Sequence, residues 1–187
     1  MKKKIFVSVL LVVALLLAAG CGKEEIVDAD PVINNDQTTA ANPVDTFMML
    51  SDLSAAFGHE AANFGDNDIQ DYNPEAYSMI CGDYMIAEVK YAKDSDDSSE
   101  MFVRTANTTD GNISGVQGNL SFKDYDSNGI TVKYALVEND TYVAYWVHGE
   151  YSYSLYETEE IEETYFKVLI DYLTASMPDS DFETNEE

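Results

Sequence analysis

Positive charge is what this chain has least of: Lys and Arg number 10 against 35 Asp and Glu in 187 residues, a net charge of −25. Affinity for a phosphate backbone comes chiefly from Lys and Arg, and so acidic a surface repels one, which excludes DNA and RNA as partners. Histidine is almost missing. With His59 and His148 alone, a three-His zinc site cannot be built within one chain, and no His-Glu-x-x-His or Cys-x-x-Cys spacing occurs. Two cysteines cannot make a disulfide-dense scaffold. Four Pro and ten Gly are too few for a collagen-like or low-complexity chain. There is no Gly-x-Ser-x-Gly elbow and no phosphate-binding glycine loop. Carboxylate pairs, by contrast, arise by chance among 35 acids, so they do not single out a glycosidase. No complete catalytic constellation and no cofactor motif is left, and a hydrolase is the weakest of the readings considered.

What is present begins with an address. Met1-Lys2-Lys3-Lys4 is a positively charged start, and Ile5 to Leu17 is an almost unbroken apolar run, the layout of an export signal. The run is short for a transmembrane span. It ends in Leu17-Ala18-Ala19-Gly20-Cys21-Gly22, which resembles the lipobox of bacterial lipoproteins. That resemblance implies that residues 1–20 are a signal peptide, removed to leave Cys21 acylated as the first mature residue. Each buried methylene contributes about 0.8 kcal/mol, so two or three acyl chains hold a protein at a membrane almost permanently. The expected location is therefore the outer, extracytoplasmic face of the cell membrane, with the membrane as partner through the acyl chains on Cys21. Losing Lys2, Lys3 and Lys4 moves the net charge from −25 to −28, so the mature domain stands off an anionic lipid surface. With Cys21 acylated, Cys81 has no disulfide partner in the chain and reads as a buried or free thiol.

Residues 21–43 carry few large apolar groups, no aromatic residue and two prolines, and read as a disordered tether. Its mean reach is roughly 25 Å. Residues 44–178 form a single domain of ordinary globular composition, and 179–187 an acidic tail. From Val44 to Phe57 apolar residues recur at three- and four-residue steps, with Gly58 as a stop and Asp45 or Thr46 as caps, predicting a helix. The period then changes to two. Seven runs, 76–79, 84–91, 100–106, 119–125, 130–136, 141–148 and 151–156, read as strands. Short separators at 81–83, 127–129, 138–140 and 148–150 make sequential neighbours antiparallel. Acids at 157–160 favour the start of a second helix, whose apolar face includes Ile161, Tyr165, Val168, Leu169, Tyr172 and Leu173. The expected fold is α+β, a curved antiparallel sheet of about seven strands with an N-terminal and a C-terminal helix packed on it.

Several short motifs lie within this plan: Asn42-Pro43, Phe57-Gly58, Tyr91, Arg104-Thr105-Ala106, Asn112-Ile113-Ser114-Gly115, Ala144-Tyr145-Trp146 and Gly149-Glu150-Tyr151-Ser152-Tyr153-Ser154. Together they resemble a family of uncharacterised lipoproteins and surface domains of anaerobic Gram-positive bacteria, over about residues 42–175. In that family the middle motif reads Arg-Lys-Ala, then Asp-Ile-Ser-Gly followed by Asp-Tyr-Asn. Here Thr105, Asn112 and Val116-Gln117-Gly118 replace the Lys, the Asp and the Asp-Tyr-Asn. The resemblance implies fold and location, and carries no activity. A looser likeness to lipoprotein carriers of the LolA type rests on the helix-plus-sheet plan alone.

Four residues stand out as ligand-binding candidates: Arg104, Tyr145, Trp146 and His148. Arg104 is the only Arg, and its guanidinium can grip a carboxylate or phosphate in two places, or an acid of its own chain. His148 shares a strand face with Trp146, and the tyrosines Tyr142, Tyr145, Tyr151, Tyr153 and Tyr156 are dense enough to line a surface, although alternation divides them between two faces. Asp124-x-Asp126-x-Asn128-Gly129 matches the opening of a calcium loop. Its twelfth position is Ala135 rather than Glu, and Asn128-Gly129 is itself a hairpin signal, so the ordinary turn is the simpler reading and the metal reading the weaker one. Asp94, Asp96, Asp97 and Glu100 form a second acidic cluster that reads as a solvated loop. The functional expectation is a non-catalytic binding or sensing domain anchored outside the cell, with an apolar-ligand carrier as the alternative.

Overall fold

The computed structural model describes residues 42–67, 69–93 and 96–177, and a compact unit begins at Val44. Its elements in chain order are β1 (Val44–Phe47), α1 (Leu50–Phe57), β2 (Tyr72–Cys81), β3 (Met85–Lys93), β4 (Asp96–Ala106), β5 (Lys123–Ser127), β6 (Ile130–Leu136), a 3₁₀ turn (Glu138–Asp140), β7 (Tyr142–His148), β8 (Tyr151–Glu157) and α2 (Glu163–Ala175). The fold is α+β: one open antiparallel sheet of eight strands in the order β1-β2-β3-β4-β8-β7-β6-β5, with two helices. No helix among the described residues is long and apolar enough to cross a membrane.

The extra strand comes from the segment expected to open the first helix. Val44–Phe47 pairs with Tyr77–Ile80 of β2 instead, because β-branched Val44 and Thr46 suit an extended edge and the pairing satisfies their backbone groups. The helix starts after Met49, with no side-chain cap. Its end is as read: Gly58 takes φ 81° and donates its N–H to the Ser54 carbonyl at 2.9 Å. β2 runs through Pro74 because β1 covers only residues 77–80, leaving the proline on a locally free edge at a bulge. The turn Asn128-Gly129, with φ 52° and 79°, is a type I′ hairpin that pairs Ser127 with Ile130 and so places β5 at 123–127 rather than 119–125. The second helix starts at Glu163, later than the acids at 157–160 suggested.

Successive side chains alternate between two faces of the sheet. One row across it reads Phe47, Tyr77, Val89, Val103, Leu155, Ala144 and Tyr134. This row faces both helices and the segment between α1 and β2, and forms the core with Leu53, Phe57, Phe64, Phe166, Leu169, Ile170 and Leu173. The neighbouring row, Glu88, Arg104, Ser154, Tyr145, Lys133 and Asp124, faces the other way. The strand order dictates what covers that second face. β4 sits mid-sheet while β5 is at the far edge, so residues 107–122 must travel past β8, β7 and β6 to connect them.

Candidate functional site

Arg104 organises that crossing. Its Nε donates to Glu88 Oε2 on the adjacent strand at 2.7 Å, and its Nη1 donates to the carbonyls of Ile113, at 3.1 Å, and Ser114. Both side chains of the ion pair are mostly buried, so the guanidinium is a fixed clamp between sheet and loop. Gly115 lies directly over it with φ 78°, and a Cβ there would sit 2.7 Å from Arg104 Nη1. Only glycine meets both conditions. Other loop residues are seated likewise: the Gly111 N–H donates to Ser152 Oγ at 3.1 Å, and Phe122 packs edge-on against Tyr145 with ring centroids 5.0 Å apart.

Between the pinned loop and the sheet lies a cleft of about 870 Å³. Phe102 and Tyr156, a cross-strand pair with nearly parallel rings 6.4 Å apart, form part of its wall. Leu120 and Leu136 add apolar surface, while Gln117, Asn119, Thr141 and Thr158 add polar groups. Its charges are Arg104, already compensated by Glu88, and Glu138. The cleft therefore suits an uncharged ligand with both apolar and hydrogen-bonding surface better than an anion.

The other candidates do not gather there. Tyr145 shares the Arg104 row, but Trp146 points to the opposite face, where it is 1% exposed, stacks on Tyr153 at 5.7 Å and donates its Nε1–H to Met177 Sδ at 3.3 Å. His148, at the end of β7, belongs to the helix side with Trp146 and pairs in register with Tyr151. His59 stacks on Tyr151 at 3.9 Å. Tyr142, Tyr151 and Tyr153 are core or core-adjacent, and Tyr156 reaches the cleft. The four ligand-binding candidates thus split across the sheet.

The calcium candidates also diverge. Asp124 pairs with Lys133 on the neighbouring strand at 2.8 Å, while Asn128 donates to the Asp171 carbonyl at 3.1 Å and to Thr174 Oγ1 at 2.8 Å. Asp171 also accepts from Tyr125 and Ser127, so this corner docks α2 on the hairpin. Among the described residues no group of His, Cys, Asp and Glu is arranged to hold a metal. In the second acidic cluster, Asp94 lies outside the described residues and Glu100 pairs with Lys90 at 2.5 Å. Cys81, at the end of β2 and 8% exposed, is disulfide-bonded, which corrects the expectation of a thiol. Cys21 lies outside the described residues.

Sequence reasoning missed one group. Glu157, taken for a helix-start acid, closes β8 and is fully buried. Its Oε1 accepts from Tyr72 Oη at 2.7 Å and from the Glu159 N–H at 3.2 Å, while Oε2 has no hydrogen-bond partner. Burial raises its carboxyl to about 7, against the opposing pull of those hydrogen bonds and of Lys93. Burial and the neighbouring Glu157 carboxylate likewise push the Tyr72 phenol far up. Lys93 lies over the Tyr72 ring, 5.0 Å from its centroid, and pairs with Glu159. The signal that could have found Glu157 is the alternation Tyr151, Tyr153, Leu155, which continues through it on the core face.

Comparison with protein-family models, with curated proteins and with solved structures finds no match to this chain.

Proposed function

We propose that this protein is a lipid-anchored extracytoplasmic binding domain, non-catalytic, whose ligand site is the cleft beneath residues 107–122. The observation that carries the binding half is the clamped crossing loop. Long loops without secondary structure are uncommon in compact domains and serve function disproportionately, and here one is fixed by a mostly buried guanidinium over an open, amphipathic wall. The helix side favours this reading over an apolar-ligand carrier. A carrier needs a curved sheet enclosing vacant apolar space, whereas Trp146, Phe64, Phe166, Leu155 and Leu169 fill that side at 1% exposure or less.

The anchor rests on the lipobox-like Leu17-Ala18-Ala19-Gly20-Cys21. One sulfur cannot carry both a thioether to diacylglycerol and a disulfide, so in the anchored protein the disulfide of Cys81 runs to a thiol other than Cys21. Cells fed radiolabelled palmitate should label the wild-type chain and leave Cys21→Ala unlabelled, and the wild-type N-terminal peptide should carry a diacylglyceryl mass. A peptide joined through Cys21 to the Cys81 peptide would overturn the anchor. For the cleft, native mass spectrometry of the chain purified from its producing cells should show a retained small molecule. Leu120→Arg, which fills the cleft, should abolish retention, and retention by that variant would remove the cleft as the site.

A further inference from the structure

Glu157 opens onto a second pocket, of about 430 Å³, on the helix side of the sheet and independent of the cleft and the anchor. Its walls come from the end of β8 and the segment after it, the start of β2, the end of β3 and the first turn of α2. Four carboxylates, Glu157, Glu159, Glu160 and Glu162, face it against the single ammonium of Lys93, and the rings of Tyr72 and Tyr165 complete it. We propose that this pocket binds a primary ammonium group, the head of a small amine or of a lysyl side chain, with Glu157 as its buried acceptor.

Three observations converge on that chemistry. First, Glu157 Oε2 is buried with no donor, and a carboxylate oxygen in such a place gains most from a charge-assisted N–H. Second, the surplus of negative charge rejects an anion, and a neutral ligand would do nothing to offset four carboxylates that face Lys93 alone. Third, the pocket already holds one ammonium of its own chain in the expected manner: Lys93 lies over the Tyr72 ring and pairs with Glu159. Metal ions are disfavoured because the described carboxylates do not converge on one point. The raised carboxyl of Glu157 adds a consequence. An ammonium stabilises its ionised form, so binding near neutral pH releases protons. Tyr72, Lys93, Glu159, Glu160, Glu162 and Tyr165 are the titratable groups facing the same space.

The test is calorimetric titration of the full chain in mild detergent at pH 8 with butylammonium, Nα-acetyl-lysine amide and tetramethylammonium, at constant ionic strength. Butylammonium or the lysine amide should bind saturably, and preference between them identifies a free amine or a lysyl side chain as the source. Tetramethylammonium, which has no N–H, should bind about tenfold more weakly or worse, since a hydrogen bond to a charged group contributes roughly 1.5–3 kcal/mol. Glu157→Gln should weaken binding by about tenfold, and Glu160→Gln by less than about threefold. Equal binding of tetramethylammonium, unchanged binding by a folded Glu157→Gln, or no saturable binding of either amine by wild type would overturn the proposal. The tetramethylammonium comparison uses wild type alone and stands even if the variant misfolds.

Discussion

Glu157 shows how a single side chain couples packing to proton binding. Its ordinary value is 4.5 and burial raises it to about 7. The folded state therefore holds a proton that the unfolded state has released between those values, and stability falls as pH rises from about 4.5 to about 7, then levels off. The span corresponds to about 3 kcal/mol. Urea unfolding of wild type and Glu157→Gln across pH 4 to 9 should show the difference between them growing in favour of the variant through that window. A constant offset would mean that Glu157 titrates as an ordinary carboxylate. Arg104 makes the complementary case: its presence on a strand was evident from the sequence, as was the abundance of acids able to pair with it. That Glu88 is the partner follows from strand register alone, since the two are directly opposite across β3 and β4.

Among the elements, the crossing loop is the one most exposed to a small change. Ala at position 115 must adopt φ 78° and place its Cβ 2.7 Å from the Arg104 guanidinium, so it strains the backbone and dislodges the clamp together. Gly115→Ala should cost about 2–3 kcal/mol in chemical denaturation and increase amide exchange through residues 111–118, whereas Gly118→Ala, which meets nothing within 4 Å, should lose only its backbone preference. Equal losses in the two variants would show that the clamp adds nothing. The regular elements were legible where a turn fixes them: the Asn128-Gly129 and Gly149-Glu150 hairpins stand where the sequence places them, and β6 spans the same residues as read. Val44–Phe47 was not legible, because its apolar spacing fits a helix face and an edge strand equally, and the choice was made by β2 lying alongside.

For the whole molecule, charge is the dominant long-range term. A net charge of −25 repels itself most in the compact state, while among the described residues the pairs of Lys123 and Lys133 are exposed, where each contributes about 0–1 kcal/mol. Repulsion outweighs attraction, so salt should stabilise. Raising ionic strength from about 0.01 M to 0.5 M, which contracts the screening length from roughly 30 Å to a few ångströms, should raise the thermal midpoint. A lowered midpoint would mean that the pairs at Lys90, Lys93, Arg104 and Lys167 carry more stability than their exposure suggests.

Composition, periodicity and turn chemistry by themselves determined the α+β class and the antiparallel neighbours joined by short hairpins, because each depends on residues close in the chain or on sums over it. Tertiary structure alone decided that β4 lies beside β8. From that one pairing follow the path of residues 107–122 across the sheet, the clamp at Arg104, the cleft beneath it and the burial of Glu157 against Tyr72. These depend on contacts between residues far apart in sequence, and such contacts are selected by how two faces pack, which no local pattern records.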